Sequence, residues 1–123
     1  MMYWIIFLSI AFSPLHGDQQ PLLKALEEGA VREFGSYYTD QVIITIFDKE
    51  QTLAKMKAIT VTENFFNAYD IKGFKKNHSG TSRDGSSSYL IGTLVSETRE
   101  YRTFIYFQMD GDVPVISEVQ IER

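Results

Sequence analysis

The sequence contains no cysteine. Disulfides, thiolate metal sites, iron–sulfur clusters and a lipidated cysteine anchor are therefore excluded. Histidine is scarce as well: His16 and His78 are the only two, too few to build a zinc site. Clustered positive charge is missing. The longest basic run is Lys75-Lys76, and the formal net charge is −4. Nucleic-acid binders carry a basic footprint, and anionic lipid surfaces attract one, so neither partner is expected. No apolar run reaches the length of about 20 residues that a membrane span needs. No cofactor is implied.

The longest apolar stretch, Tyr3–Phe12, lies within Met1–Gly17, which carries no Lys, Arg, Asp or Glu. A Pro and then small or polar residues follow it. That is the hydrophobic region and exit of a secretory signal peptide. Cleavage after Gly17 would leave Asp18 as the new terminus and a chain with no transmembrane anchor, exported to a periplasm or the cell exterior. The usual positive start is absent, so a buried N-terminal strand and a misplaced start codon are the alternatives.

What the chain does have is ample core material. Its 123 residues are 44% hydrophobic and 14% aromatic, so 18–123 is expected to form a single folded domain. A domain near this size buries roughly two-thirds of the surface that its unfolded chain exposes, enough to fold without staples.

Pro21 marks a helix entry. Leu22, Leu26 and Ala30 follow at helical spacing, with Gly29 as a left-handed cap. A short second helix from Ala30 to about Tyr37 brings Val31 and Phe34 to one side. Val42–Phe47 is β-branched and reads as a strand, followed by a loop at Asp48–Gln51. Lys55–Tyr69 carries an apolar stripe of Ala58, Ile59, Thr62, Phe65, Phe66 and Tyr69 near a 3.6-residue period. Four long runs follow: Lys72–Ser82, Ser87–Glu97, Glu100–Met109 and Val113–Ile121. Asp84-Gly85, Thr98-Arg99 and Asp110-Gly111-Asp112 separate them as turns. Gly80 would mark a bulge and Gly92 a bend. On the third run Tyr101, Thr103, Ile105, Phe107 and Met109 share one face, the better core candidate. The order predicts an α+β domain, with N-terminal helices packed on a curved antiparallel sheet of about five strands.

Ala25-Leu-Glu-Glu-Gly29 and Tyr37-Tyr-Thr-Asp-Gln-Val42 resemble the opening of nuclear transport factor 2-like domains. The chain more closely resembles a family of small secreted Bacteroidota proteins, a domain of unknown function of the DUF4783 kind. The pieces are Ile46-Phe-Asp-Lys-Glu50, Asn64-Phe-Phe66, Gly80-Thr-Ser-Arg-Asp-Gly85, Tyr89-Leu-Ile-Gly-Thr-Leu94, Tyr101-Arg102 and Val119-Gln-Ile-Glu-Arg123. The resemblance covers Pro21 to the C-terminus and implies a cone-shaped fold and export. It transfers no catalytic residue. Ala54 stands where that family tends to place a serine before its main helix, so a helix cap is lost, with Thr52 as a substitute one turn earlier.

Several residues invite a functional reading. His78 to Asp84 holds the elements of a hydrolase triad. His78 and Ser79 point to opposite faces of a strand, Ser82 is too far along it, and Asp84 sits in a turn. No catalytic residue is assigned. Asp48 and Glu50, like Asp110 and Asp112, lack the ligand count of a calcium loop, and no metal site is assigned. Tyr37, Phe47, Phe65, Phe66, Tyr69, Tyr101, Ile105 and Phe107 are the candidates for an apolar ligand pocket between helix and sheet, or else simply fill it. Arg102, Phe104 and Tyr106 lie on the other face, where an apolar strip would favour a homodimer.

The leading expectation is an exported non-enzymatic domain. It would bind a small apolar ligand, a peptide or an envelope protein. A proton-transfer enzyme using Asp48, Tyr101 or His78 is the alternative, and an envelope assembly role a third.

Overall fold

The computed structural model describes residues 19–123; the expected leader, Met1–Gly17, lies outside them. Helix α1 spans Gln20–Glu27, with Pro21 in its first turn and Leu22, Ala25 and Leu26 buried. Gly29 ends it at φ 69°. The Ala30 amide donates to the Ala25 carbonyl at 2.8 Å and the Gly29 amide to Leu26 at 3.1 Å. These are the paired bonds of a Schellman cap. Helix α2, Val31–Gly35, buries Val31 and Phe34. Helix α3, Lys55–Ala68, buries Ala58, Ile59, Thr62, Phe65 and Phe66, the stripe expected from its period. Its N-cap is Ala54, which makes no side-chain capping bond.

Among the described residues, six strands form one sheet: β1 Tyr38–Ile46, β2 Lys49–Ala54, β3 Gly73–Thr81, β4 Ser88–Val95, β5 Glu100–Asp110 and β6 Val113–Glu122. Their order is β2-β1-β6-β5-β4-β3. The α+β architecture is as expected, with helices on one face of a curved sheet, but the sequence reading needs several corrections. The loop expected at Asp48–Gln51 is largely strand β2, joined to β1 by the two-residue turn Phe47-Asp48 and closed by the Ile46–Lys49 pair. Thr52 therefore cannot cap α3; it pairs with Ile43. The sheet is not wholly antiparallel, because β1 and β6 run parallel. The bulge in β3 falls between Lys76 and His78, not at Gly80.

The core lies between the helices and one sheet face. Tyr101, Thr103, Ile105 and Phe107 of β5 are at most 5% exposed and alternate with exposed or half-buried neighbours. The period-2 rule thus puts the expected face inward. On the helix side, the Tyr38 hydroxyl lies 2.6 Å from Thr62 Oγ1, and Thr62 donates to the Ala58 carbonyl at 2.8 Å. Thr62 spends its only proton on Ala58, so Tyr38 donates to Thr62. This bond ties the start of β1 to the middle of α3.

Candidate functional site

The expected pocket residues divide into groups. Phe65 of α3 and Tyr69, the residue that caps its C-terminus, stack with ring centroids 4.6 Å apart. Phe47 meets Phe65 edge-on at 5.8 Å and Tyr69 at 5.5 Å. Tyr101 of β5 meets Phe65 at 5.8 Å and Tyr69 at 5.7 Å. These four rings fill the end of the core near the β1–β2 turn, and each edge-on pair adds about 0.5–1.5 kcal/mol beyond area burial. Arg123 lies over the outer side of Phe47, its guanidinium carbon 4.0 Å from the ring centre.

Ile105 and Phe107 lie further along β5, fully buried, and Tyr37 is half-buried where α2 meets β1. Three of the eight also reach the surface, each at a different groove. Phe66 lines one between the α1–α2 junction and α3, Phe47 one beside Asp48 and Gln120, and Phe107 one beneath the β3–β4 loop. The eight residues are not gathered round one shared cavity.

The titratable candidates lie apart. Asp48 is exposed in the turn at the β2 edge of the sheet, and His78 is exposed on β3 at the opposite edge. Tyr101 is buried among rings between them. His78 Nε2 lies 3.0 Å from the Tyr89 hydroxyl rather than near a serine. Ser82 donates to Asp84 Oδ1 at 2.7 Å. Ser86 donates to the same oxygen twice, from its amide at 3.0 Å and its hydroxyl at 2.7 Å. These bonds stabilise the carboxylate and hold the Asp84 pKa down at about 2. The group is committed to its own loop. No cluster of metal-ligating side chains occurs among the described residues.

The face of the sheet that carries no helix among the described residues is the larger feature. Register alignment places Tyr89 opposite Tyr106 and Ile91 opposite Phe104. Glu118 and Gln120 of β6 continue these two rows, and Ile43 and Thr45 of β1 extend them. Tyr106 is 41% exposed. Arg102 bounds the block, its guanidinium carbon 5.2 Å from the Phe104 ring centre. The sequence reading found Arg102, Phe104 and Tyr106 but missed Tyr89 and Ile91. Both lie in Tyr89–Val95, where apolar residues occupy both faces and alternation carries no signal.

The Tyr89 ring crosses Gly80, where a Cβ would stand 2.6 Å from the tyrosine oxygen. Glycine there lets the ring lie flat across β3.

A family model described as "Domain of unknown function (DUF4783)" matches residues 20–122. A DUF4783 family protein from Bacteroides ovatus has a similar structure at 26% identity and TM-score 0.76, covering 85% of this chain and 93% of that one. One from Bacteroides uniformis is similar at 25% identity and TM-score 0.76, over 85% and 94%. A nuclear transport factor 2-like protein of unknown function from Shewanella oneidensis shares the fold alone, at 10% identity and TM-score 0.58, over 89% and 93%. No curated protein matches.

Proposed function

The chain belongs to the DUF4783 family of nuclear transport factor 2-like domains, and from that premise we propose that it is an exported, non-catalytic binding domain that pairs with a second copy through its helix-free sheet face. The carrying observation is the block formed by Tyr89, Ile91, Phe104 and Tyr106, aligned in register on two neighbouring strands. Large side chains on an uncovered sheet face lose little entropy on packing and gain much from burial. Two such faces stack as sheets do in a sandwich.

Charge supports a two-fold arrangement. Arg102 lies one row to one side of Phe104, and Glu118 one row to the other. A two-fold axis through the central row brings each Arg102 toward the partner's Glu118 row, the self-complementarity that an isologous contact needs.

The non-catalytic part of this reading rests on the separation of Asp48, His78 and Tyr101 across the sheet. General acid–base chemistry needs its groups within reach of one substrate. The mutual packing of Phe47, Phe65, Tyr69 and Tyr101 favours filling over a ligand at that end of the cone. Export follows from the apolar leader Met1–Gly17.

Sedimentation equilibrium tests the pairing. The purified protein is expected to be a dimer at micromolar concentration, and Tyr106→Lys to be a monomer with an unchanged circular dichroism spectrum. A wild-type protein still monomeric at about 100 µM overturns the reading, because a functional interface of standard size is tighter than that.

A further inference from the structure

His78 is the single imidazole among the described residues. It stands in the central row of the helix-free face: the register aligns His78 with Ile91, Ile91 with Phe104 and Phe104 with Gln120. Its Nε2 lies 3.0 Å from the Tyr89 hydroxyl, and the two ring centres are 5.6 Å apart. His78 is thus tied to the aromatic block by register and by a hydrogen bond, yet it is exposed in the single chain. A standard interface covers about 800 Å2 on each partner, more than four side chains on two strands supply. The adjoining strand is only about 4.8 Å away, so a contact centred on Tyr89, Ile91, Phe104 and Tyr106 takes in His78.

An imidazole ordinarily changes charge between about pH 5 and 8. The Tyr89 hydroxyl donates to a neutral ring nitrogen or accepts from a protonated one, so that bond survives in either state and only the charge changes. Nothing nearby balances a positive ring. On β3, Lys75 and Lys76 add positive charge of their own. On β4, Tyr89 is the titratable neighbour, with Ile91 and Thr93 beside it, and β5 presents Tyr106 and Arg102. The carboxylates around this face are taken or distant. Glu100 is held by Lys75 at 3.3 Å, and Asp84 by Ser82 and Ser86. Glu118 and Glu122 stand on β6, three strands from β3.

We infer, building on the pairing proposed above, that His78 makes it pH-dependent: the two faces close while His78 is neutral and part when it is protonated. The two-fold axis runs along the row that His78 shares with Phe104, so closure brings His78 toward the partner's His78. It also strips water from both rings. Desolvation and a like charge each disfavour the imidazolium. The proton therefore binds the single chain better than the pair, and acid draws the equilibrium toward single chains.

Sedimentation equilibrium at about pH 8 and about pH 5, on either side of the imidazole range, tests this on wild type and His78→Gln, with circular dichroism confirming the fold at both. Wild type is expected to pair about tenfold more weakly or worse in acid, because two imidazoles enter each pair. His78→Gln, which keeps a polar neighbour for Tyr89, is expected to pair alike at both. A second reading needs no variant: the titration midpoint of the His78 ring proton, followed by NMR, is expected to fall as the protein is concentrated and pairs. The inference is overturned, with the pairing left standing, if wild type pairs equally at the two pH values, if His78→Gln keeps the wild-type response, or if the midpoint ignores concentration in a protein that pairs. A wild type that is monomeric at both pH values removes the pairing and this inference with it.

Discussion

The ring of Phe74 on β3 lies across Gly92 on β4, in the space that a side chain would take. A Cβ on Gly92 would collide with the ring edge and with the Lys75 carbonyl. The backbone of Gly92 is unstrained, so the requirement is for space alone.

Gly92→Ala is therefore expected to destabilise the protein by about 1–3 kcal/mol, the range for overpacking a well-filled core. Gly80→Ala meets a similar overlap, but with the Tyr89 ring, which is half-buried on the uncovered face and can swing outward. It should cost clearly less. Urea denaturation of both variants checks the order, and equal losses would show that Phe74 is as free to move as Tyr89.

The Tyr38–Thr62 bond predicts an asymmetry. Tyr38→Phe removes a donor but leaves Thr62 bonded to Ala58, for a loss of about 1 kcal/mol. Thr62→Val strands the buried tyrosine hydroxyl and should cost more, about 1–3 kcal/mol. Burial also raises the Tyr38 pKa well above its ordinary 10.0. A group whose folded pKa is raised contributes stability below its unfolded pKa and loses it as pH climbs beyond. Stability should thus fall with a slope beginning above pH 10.0, and Tyr38→Phe should flatten that part of the profile. Denaturant midpoints measured across alkaline pH decide the matter.

Phe47 and Asp70 are the two non-glycine residues with left-handed backbones among the described residues, at φ 58° and 54°. Replacing each with glycine should move stability in opposite directions. Asp70 follows α3 at the position that Gly29 holds after α1. The Ile71 amide donates to Phe66 at 3.0 Å, and the side chain is exposed. Asp70→Gly relieves strain and gives up only an exposed ion pair to Lys72, so a gain of about 0.5–1 kcal/mol is expected. Phe47→Gly relieves the same strain but removes a ring packed on Phe65, Tyr69 and Tyr101. A net loss of about 2 kcal/mol or more is expected from thermal unfolding, since deleting a packed phenylalanine typically costs about 3–5 kcal/mol.

These two positions also mark how far the sequence can be read. Gly29 and the stripe of α3 announce themselves through local rules, and the structure places both as expected. Strand β2 does not. Lys49-Glu-Gln-Thr-Leu-Ala54 is poor in β-formers, and the turn before it carries Phe47 where a hairpin would ordinarily announce itself with glycine. What holds that turn is the ring cluster, built by residues from α3 and β5 that no local window contains. The parallel pairing of β1 with β6 is equally remote in sequence. The uncovered face was half legible: β5 alternates cleanly, so Arg102, Phe104 and Tyr106 could be read, whereas β4 is apolar on both sides and hid Tyr89 and Ile91. The groove beneath the β3–β4 loop was not legible as a unit. Gln19, Arg83 and Met109 come from three separated segments, and only Phe107 among its lining stood out for its residue type.

The strand order sets the schedule on which this chain can fold. Strand β6 is the sixth to be synthesised, yet it sits between β1 and β5. Until Val113–Glu122 emerges, the nascent chain holds two separate ribbons, β2-β1 and β5-β4-β3, each with a bare hydrogen-bonding edge facing the gap. Neither ribbon can close over the core alone. Completion waits for a single late insertion that joins both at once, so the sheet cannot close before its last strand has been made.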